Sequence, residues 1–377
     1  MRTKQLIILT VIVIVGVLLI SCTKQPPIKL GFSASLTGKL SVLGKDGRDG
    51  VILAVEELNQ QGGIAGRKIE LIVKDDQNSV QRARKVDKEL ISTGVSAIIG
   101  HMTSSMTEAV VPLMNEEEML LISPTASTNQ LTGRDDYFLR VESPNRSQQI
   151  YQAQNFINNL NLERTAVIYD LSNYEFSNNW FNSFKEEYTA RGGEISGVVR
   201  FNSKQNYNYA ELTEELLESK PEGVLLITGS IDAAMFSQQI RDLSSEVTIA
   251  TTGWAMTDEF LARGGKAVEG VYLTSSSYKE NRTRGYQDFK ERFKERFNRE
   301  VSFASLQAYQ AAQVIFKASQ RVETIRPTSL KEKIIELEEF QILQPPFMID
   351  QYGDAYRMQY MLQVHEGSFN KVLTKYF

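Results

Sequence analysis

Ser96-Ala-Ile-Ile-Gly-His-Met-Thr-Ser-Ser-Met-Thr107 and Met119-Leu-Leu-Ile-Ser-Pro-Thr-Ala-Ser-Thr128 are the two stretches of the chain that decide its fold. Each begins as a short apolar run and ends abruptly in a cluster of hydroxyl residues. Apolar runs of this length are typical of the buried strands of a parallel sheet. Because a helical pattern separates the two runs, they predict a strand–helix–strand unit with both hydroxyl clusters at the same edge of the sheet.

The residues after the first run predict a binding site for a carboxylate. Gly100 ends the run, and Ser104 lies where the next helix is expected to begin. A helix start carries unpaired N–H groups and a partial positive charge, so hydroxyl groups beside it can hold an anion through directed hydrogen bonds. The alternative is that Ser104 serves only as an N-cap. The second hydroxyl cluster, at the next strand end, favours the ligand site.

Alternating strand and helix patterns continue along the chain and predict an α/β protein. Strands expected at Ile28, Ile69, Ala97 and Met119 are separated by helical patterns, and this βαβαβαβ order indicates an open parallel sheet. A second set of the same kind begins near Asn145. Long helical patterns follow it, and two strand-like runs near residues 356–364 close the chain. The pattern therefore predicts two doubly wound parallel-sheet lobes.

Gly100-His-Met-Thr-Ser-Ser-Met-Thr107 and Ile122-Ser-Pro-Thr-Ala-Ser127 resemble the two carboxylate-binding segments of the leucine/isoleucine/valine-binding family. This family comprises type I periplasmic binding proteins that supply ABC transporters. The resemblance extends from Ile28 to the C-terminus and includes Asn59-Gln-Gln-Gly-Gly-Ile-Ala-Gly66 and the pair Asp75-Asp76. It implies the periplasmic binding protein-like I fold, with two lobes joined by a three-stranded hinge and the ligand in the cleft between them.

The resemblance also implies how the chain divides between the lobes. The N-terminal lobe would comprise residues 28–142 and 277–344, and the C-terminal lobe residues 143–276 and 345–377. Three crossovers would form the hinge, near residues 140–145, 275–279 and 344–347.

The binding roles known in this family carry over to matching positions of the chain. Ser104 and Ser127 would hold the carboxylate of the ligand, with the backbone at Thr125 beside them. Tyr174 matches the tyrosine that closes over the ligand, although an exposed loop tyrosine is the alternative. The predicted ligand-binding residues are Leu43, Thr103, Ser104, Thr125, Ser127, Tyr174 and Trp254.

The sequence departs from the family at the positions that bind the ammonium group of a ligand. The amino-acid binders have a glutamate where this chain has Gly253, and a tyrosine where it has Gly229. A buried ammonium group without a carboxylate partner is costly. Either Asp170 or Asp232 replaces the missing acid, or the ligand is an amino-free acid, an amide or an aromatic carboxylate. Trp254 either stacks on the ligand, fills the space at Gly253 or belongs to the packing of the lobe.

The N-terminus has the pattern of a secretion signal. Residues 1–21 combine a basic start with a short apolar core, and Leu19-Ile-Ser-Cys22 resembles a bacterial lipobox. The resemblance implies that residues 1–21 are removed, that Cys22 is lipidated and that residues 22–27 form a tether; an uncleaved signal anchor is the alternative. We therefore expect an exported protein, anchored by lipid in the periplasm or on the outer face of the cell membrane. Because Cys22 is the only cysteine, no internal disulfide can form.

Composition argues against several classes of function. A formal net charge of −4 over 377 residues does not suit nucleic acid binding, which requires a basic face. Two histidines and one cysteine offer no zinc cluster and little support for a nucleophilic catalytic site, so we expect no metal, no cofactor and no enzyme activity. His101 is interpreted as structural, and Asp75 and Asp76 as caps of the following helix.

Two functions remain. The first is a monomeric solute-binding lipoprotein that delivers a small carboxylate-bearing solute, such as a branched-chain amino acid, to the permease of an ABC importer. The second is a sensor in which closure of the same lobes signals to a membrane partner. Receptors of this fold usually carry a transmembrane or signalling segment, for which the sequence after Ser275 shows no pattern. We therefore expect the transport function.

Overall fold

Two parallel sheets, one in each half of the chain, organise the structure, a computed structural model that describes residues 25–243, 246–277, 283–343 and 345–375. The first half alternates strands and helices in the order β1 (Ile28–Ala34), α1 (Ser41–Gln60), β2 (Ile69–Asp75), α2 (Val80–Ser92), β3 (Ile98–Gly100), α3 (Ser104–Glu116), β4 (Leu121–Ser123) and β5 (Phe138–Arg140). The strands are parallel and lie in the order β2-β1-β3-β4-β5. The predicted βαβαβαβ order is confirmed, and the short strand β5 extends it.

The second half repeats the arrangement. Its elements are α4 (Arg146–Asn158), β6 (Arg164–Asp170), α5 (Tyr174–Ala190), β7 (Glu194–Phe201), α6 (Tyr209–Leu217), β8 (Gly223–Ile227), α7 (Ser230–Leu243), β9 (Thr248–Thr252), α8 (Asp258–Gly264) and β10 (Tyr272–Ser275). The central strands of this sheet are buried along almost their whole length, as expected for a sheet covered by helices on both faces.

The last third of the chain contributes to both halves. Three helices, α9 (Arg284–Phe297), α10 (Phe303–Ser319) and α11 (Pro327–Leu337), pack into the core of the first sheet. A small antiparallel sheet follows, formed by β11 (Glu339–Phe340), β12 (Phe347–Ile349) and β13 (Ala355–Tyr356). The chain then adds β14 (Gln359–His365) and β15 (Ser368–Lys375) as antiparallel strands to the second sheet, which has the order β15-β14-β10-β9-β8-β6-β7.

The third crossover between the lobes lies later than the sequence predicted. Phe347, Ile349 and Ala355 are buried in the same core cluster as β1 and α10, so they belong to the first lobe. The chain reaches the second lobe between Tyr356 and Gln359, and the boundary predicted at residue 345 is corrected accordingly. The closing strands also extend beyond the predicted 356–364, because β14 and β15 form a hairpin that ends at Lys375.

Glycines on one side of α1 determine how closely this helix approaches the rest of the first lobe. A Cβ atom on Gly50 would lie 2.1 Å from the carbonyl oxygen of Ser305 in α10, and one on Gly44 would lie 1.9 Å from the carbonyl oxygen of Ser35. Any larger residue would push these backbones apart. The close packing brings Leu43, directly before Gly44, to the edge of the sheet where β3 and β4 end.

Candidate ligand-binding site

The structure brings the two predicted hydroxyl clusters together. Thr103 is the N-cap of α3 and Ser104 is its first helical residue, so the interpretation of Ser104 as an N-cap is wrong. The backbone N–H of Ser127 donates a hydrogen bond to Ser104 Oγ across 3.3 Å. Both residues are buried, and both lie beside the start of α3, where the first N–H groups have no partner within the helix.

A cavity lies between the two lobes at this sheet edge. Five of the predicted ligand-binding residues line it, namely Leu43, Ser104, Thr125, Ser127 and Trp254. Ten further residues line the cavity and were not predicted from the sequence: Met102, Glu142, Asn145, Gln148, Asn173, Phe176, Gly253, Ser275, Ser276 and Phe303. The wall therefore combines a hydroxyl-rich end with aromatic and aliphatic side chains, as small-molecule sites commonly do.

Two predicted residues, Thr103 and Tyr174, do not line the cavity. Thr103 is buried at the start of α3, behind Ser104. Tyr174 is the first residue of α5, and 46% of its surface is exposed to solvent, so the assignment of this tyrosine as the residue that closes over the ligand is corrected. Its neighbours Asn173 and Phe176 line the cavity instead.

Trp254 occupies the space next to two glycines at the ends of β8 and β9. A Cβ atom on Gly229 would lie 3.7 Å from the indole ring of Trp254. A Cβ atom on Gly253 would lie 3.0 Å from the carbonyl oxygen of Thr274, closer than side chains usually pack. Trp254 also contacts Phe176 edge-to-face, with the ring centres 5.3 Å apart. The indole therefore forms an apolar wall of the cavity in place of larger side chains at the two glycine positions.

Glu142, on the crossover between β5 and α4, supplies a carboxylate to the cavity wall. It accepts hydrogen bonds from the Ser143 N–H at 3.0 Å and from Ser276 Oγ at 2.7 Å, and a further one from the Gln307 amide. Burial raises the pKa of the Glu142 carboxyl, while the positive charge of Arg357 and these donors oppose the rise. Glu142 was not predicted as a site residue because it lies on a connecting segment, where no periodic pattern marks a buried side chain. Its position in a predicted crossover was the only feature of the sequence that could have indicated its role.

Comparison with known proteins identifies the family. The sequence matches the periplasmic binding proteins over residues 27–368. The chain belongs to this family. Leu/Ile/Val-binding protein BraC3 of Rhizobium johnstonii is 26% identical over 252 residues, which are 66% of this chain and 68% of that protein. The Leu/Ile/Val-binding protein of Escherichia coli is 27% identical over 148 residues, which are 39% of this chain and 40% of that protein. Both relatives are Leu/Ile/Val-binding proteins, and this chain is similar to them.

Solved structures of periplasmic binding proteins share the fold. Leucine-binding protein LivK of Thermotoga maritima has a TM-score of 0.85 at 23% identity, covering 93% of this chain and 99% of that one. LivJ of Streptococcus pneumoniae, in complex with isoleucine, has a TM-score of 0.84 at 21% identity, covering 93% and 100%. An R. palustris solute-binding protein in complex with benzoate has a TM-score of 0.83 at 19% identity, covering 92% and 96%. The predicted fold of two α/β lobes is confirmed.

Neither acid proposed to replace the family's glutamate at Gly253 lines the cavity of this periplasmic binding protein. Asp170 accepts hydrogen bonds from the N–H and hydroxyl groups of Ser172 and Ser203, at 2.6–3.0 Å. Asp232 accepts hydrogen bonds from the Tyr207 and Tyr209 hydroxyls and lies at a neighbouring cavity, beyond Trp254. Both acids therefore hold second-lobe loops, and Glu142 is the acid in the wall of the candidate site.

His101 holds the first hydroxyl cluster in place from behind. Its Nδ1 is 2.6 Å from Asp76 Oδ2 and its Nε2 is 2.9 Å from Asp87 Oδ2, with all three side chains buried. Ser79 is the N-cap of α2, so the prediction that Asp75 and Asp76 cap this helix is wrong. Among the described residues, no group of three His, Cys, Asp or Glu side chains could hold a metal ion.

Direct contacts join the two lobes on either side of the cavity. The N–H of Ser105 in α3 donates to Asn173 Oδ1 across 3.2 Å, and the N–H of Glu175 donates to Ser105 Oγ across 3.1 Å. Asn78 Nδ2 donates to the carbonyl oxygen of Ser172 across 3.3 Å. The first two bonds join the start of α3 to the start of α5, and the third joins the loop before α2 to the same region of the second lobe. The lobes of this structure are therefore closed over the cavity.

Glu108 of α3 and Glu175 of α5 also come close together at this lobe contact, where the charge of Glu175 acts on the Glu108 carboxyl. Burial and the negative charge of Glu175 raise the pKa of Glu108, although Arg134 opposes the rise. Opening of the lobes would move Glu175 away, so the closed form binds this proton more tightly than the open form.

We therefore expect affinity for the solute to increase as the pH falls through the raised pKa of Glu108. The gain should be complete near the ordinary carboxyl value of about 4.3. Calorimetric measurements of Kd at about pH 5 and about pH 8 check the direction. Glu175→Gln removes the negative charge beside Glu108 and should make Kd less dependent on pH. An unchanged pH dependence of Kd in that variant would contradict the assignment of this effect to Glu108.

Proposed function

We propose that this protein is the extracytoplasmic solute-binding lipoprotein of an ABC importer. It binds a small carboxylate-bearing solute, such as a branched-chain amino acid, in the interlobe cleft and delivers it to the transmembrane subunits of the permease. The observation that carries the proposal is the meeting of Ser104 and Ser127 at the start of α3, inside a cavity between two closed lobes.

The chemistry of this sheet edge suits a carboxylate. The hydroxyl groups of Ser104 and Ser127 and the amides at the start of α3 are hydrogen-bond donors in a region of partial positive charge. Each hydrogen bond to a charged group contributes about 1.5–3 kcal/mol. The apolar side chains of Leu43, Phe176 and Trp254 would enclose the rest of the solute. Closure of the lobes would bury it and present one shape to the permease.

The ligands of related proteins support a carboxylate as the shared feature. Isoleucine is bound in the LivJ structure and benzoate in the R. palustris structure, while a protein of Rhodopseudomonas palustris BisB5 holds 3,4-dihydroxybenzoic acid. These molecules differ in size, shape and amino substitution, but each carries a carboxyl group. This range of carboxylate ligands is consistent with a site in which the two hydroxyl clusters are kept and the other lining residues differ between proteins.

Ser104→Ala and Ser127→Ala are each expected to weaken binding of the best ligand by about tenfold to a hundredfold, through loss of one hydrogen bond to its carboxylate. Calorimetric titration with a panel of amino acids, amides and aromatic acids identifies that ligand and measures the loss. Ser92→Ala, at an exposed serine of α2, is the matched control and should bind as the wild type does. Unchanged affinity in both site variants would refute the carboxylate assignment.

Lipid anchoring at Cys22 is part of the proposal, and it concerns residues 1–24, which lie outside the described part of the chain. None of the helices in the described ranges has the length and apolar character needed to cross a membrane. Mass spectrometry of the N-terminal peptide should detect acyl chains on Cys22, and Cys22→Ala should leave the membrane fraction. Loss of uptake of the best ligand in cells that lack the protein would support transport over sensing.

A further inference from the structure

We propose that Glu142 binds a hydrogen-bond-donating group of the solute, an ammonium or a hydroxyl, that lies next to the carboxylate of the solute. The preferred solutes are then 2-amino or 2-hydroxy carboxylic acids. The inference rests on the proposed function and names a second chemical feature that the same cleft recognises.

Glu142 is the only acid among the described residues that line the cavity. Gly253, at the end of β9, has no side chain, and the carbonyl oxygen of Thr274 leaves little room for one. Asp170 and Asp232 are held by hydroxyl groups of their own lobe. A cationic or hydroxyl group of a solute enclosed in this cavity therefore has Glu142 as its acidic partner.

One oxygen of Glu142 has capacity for a further donor. Oε2 accepts from Ser276 Oγ and from the Gln307 amide. Oε1 accepts from the Ser143 N–H at 3.0 Å, and its other contact, with Gln148 Nε2, lies at 3.5 Å, the limit of a hydrogen bond. A carboxylate oxygen accepts two donors, so a solute group could take the place of the weak Gln148 contact.

The guanidinium of Arg357 donates its hydrogen bonds to other acceptors and leaves the Glu142 oxygens available. It donates to the carbonyl oxygen of Val141 and, at 2.8 Å, to Gln310 Oε1. Arg357 instead offsets part of the cost of burying a carboxylate, and it holds the first and third crossovers together. Glu142 can therefore stay in the cavity wall in the absence of solute and still bind a donor when the solute enters.

Asn145, on the same crossover, gives a second and independent indication of a ligand. Its side chain is 1% exposed and lines the cavity, and its Nδ2 is buried with no hydrogen-bond partner among the described residues. Its backbone N–H donates to the carbonyl oxygen of Ser127 across 2.8 Å, so it lies at the carboxylate end of the site. An unpaired buried amide group requires an acceptor, which the carboxylate of the solute would supply. A donor at Asn145 and an acceptor at Glu142 suit a carboxylate with a donor group on the adjacent carbon.

Three solutes with the same carbon skeleton test the proposal: leucine, its hydroxy analogue leucic acid, and isocaproic acid, which has neither group. Calorimetry on the wild type should show leucine or leucic acid binding at least about tenfold more tightly than isocaproic acid. Glu142→Gln keeps the size of the side chain and should remove most of that preference, with isocaproic acid affected by less than about twofold. Asn145→Ala and Ser104→Ala should weaken all three solutes alike.

The outcomes separate the inference from the proposed function. Equal binding of the three solutes by the wild type, or an equal loss for all three in Glu142→Gln, would overturn the role of Glu142 and leave the carboxylate site intact. A selective loss in Glu142→Gln with no effect of Ser104→Ala would instead retain Glu142 and refute the proposed carboxylate site. The wild-type comparison is independent of how well the variants fold.

Discussion

His101→Ala is expected to lower the free energy of unfolding by about 3–5 kcal/mol, because it leaves two buried carboxylates without their cation. Burial alone would lower the pKa of His101, but the charge of Asp87 and the hydrogen bonds with Asp76 and Asp87 raise it to about 10. The ring is therefore an imidazolium at neutral pH. It joins the end of β2 and the helix α2 to the segment that leads into Ser104.

Urea unfolding at neutral pH, followed by tryptophan fluorescence, measures this loss. His365→Ala, at the exposed histidine that ends β14, is the matched control and should change the free energy of unfolding by less than about 0.5 kcal/mol. His101→Gln combined with Asp76→Asn and Asp87→Asn removes all three charges, and we expect it to be more stable than His101→Ala. An unfolding midpoint for His101→Ala equal to that of the wild type would show that the triad carries no net stability.

The same triad predicts the direction of the pH dependence. In the unfolded chain the pKa of His101 returns to about 6.5, well below its folded value of about 10. The folded state therefore binds more protons than the unfolded state between these values, so the stabilisation is complete below about pH 6.5 and is lost as the pH rises through about 10. Unfolding midpoints of the wild type should fall across this range, and those of His101→Ala should fall less steeply.

The alternation of strands and helices along the chain and the two hydroxyl clusters could be predicted from sequence because their signals are local. A buried strand is an apolar run, and the residues that follow it must lie at the edge of the sheet. Ser104 and Ser127 follow such runs directly, and the structure places both in one cavity. The prediction for Tyr174 was wrong because the position of its side chain depends on where α5 begins. The helix begins at Tyr174 itself, one position after Asn173, and the side chain is largely exposed to solvent.

Residues whose roles come from distant partners could not be predicted from sequence. Glu142 reaches Ser276 and Gln307, and both contacts exist only after the three crossovers have assembled. Asp87 resembles any solvent-facing acid of an amphipathic helix until α2 packs against His101. The strands β12 and β13 are too short for an alternating pattern, so the position of the third crossover had no signal in the sequence.

Arg140→Met is the second substitution with a large expected effect, a loss of about 3–5 kcal/mol in the free energy of unfolding. The Arg140 side chain is fully buried at the end of β5, and its Nε donates to Asp354 Oδ1 across 2.8 Å. The same guanidinium donates to the carbonyl oxygen of Thr128 at 2.8 Å and to Thr132 Oγ1 at 2.7 Å. Methionine has a similar length but supplies none of these donors, and it leaves the buried carboxylate of Asp354 unpaired.

The position of this ion pair extends its effect to the ligand site. Thr128 follows Ser127 directly, so Arg140 ties the second hydroxyl cluster to the loop between β12 and β13. We expect Arg140→Lys to be intermediate in stability, because lysine keeps the charge but cannot reach three acceptors in the fixed geometry of a guanidinium. Both variants should also weaken solute binding, through displacement of Ser127, by less than Ser127→Ala does.

Urea unfolding of a double-mutant cycle over Arg140→Met and Asp354→Asn measures the coupling. The double variant should lose clearly less than the sum of the two single losses, because it leaves no unpaired buried charge. Arg284→Met is the matched control, since its contact with Asp288 is long, at 3.9 Å, and the arginine side chain is 95% exposed. A surface pair of this kind contributes about 0–1 kcal/mol. Additive losses in the cycle, or equal losses at Arg140 and Arg284, would mean that the buried pair does not couple β5 to the small antiparallel sheet.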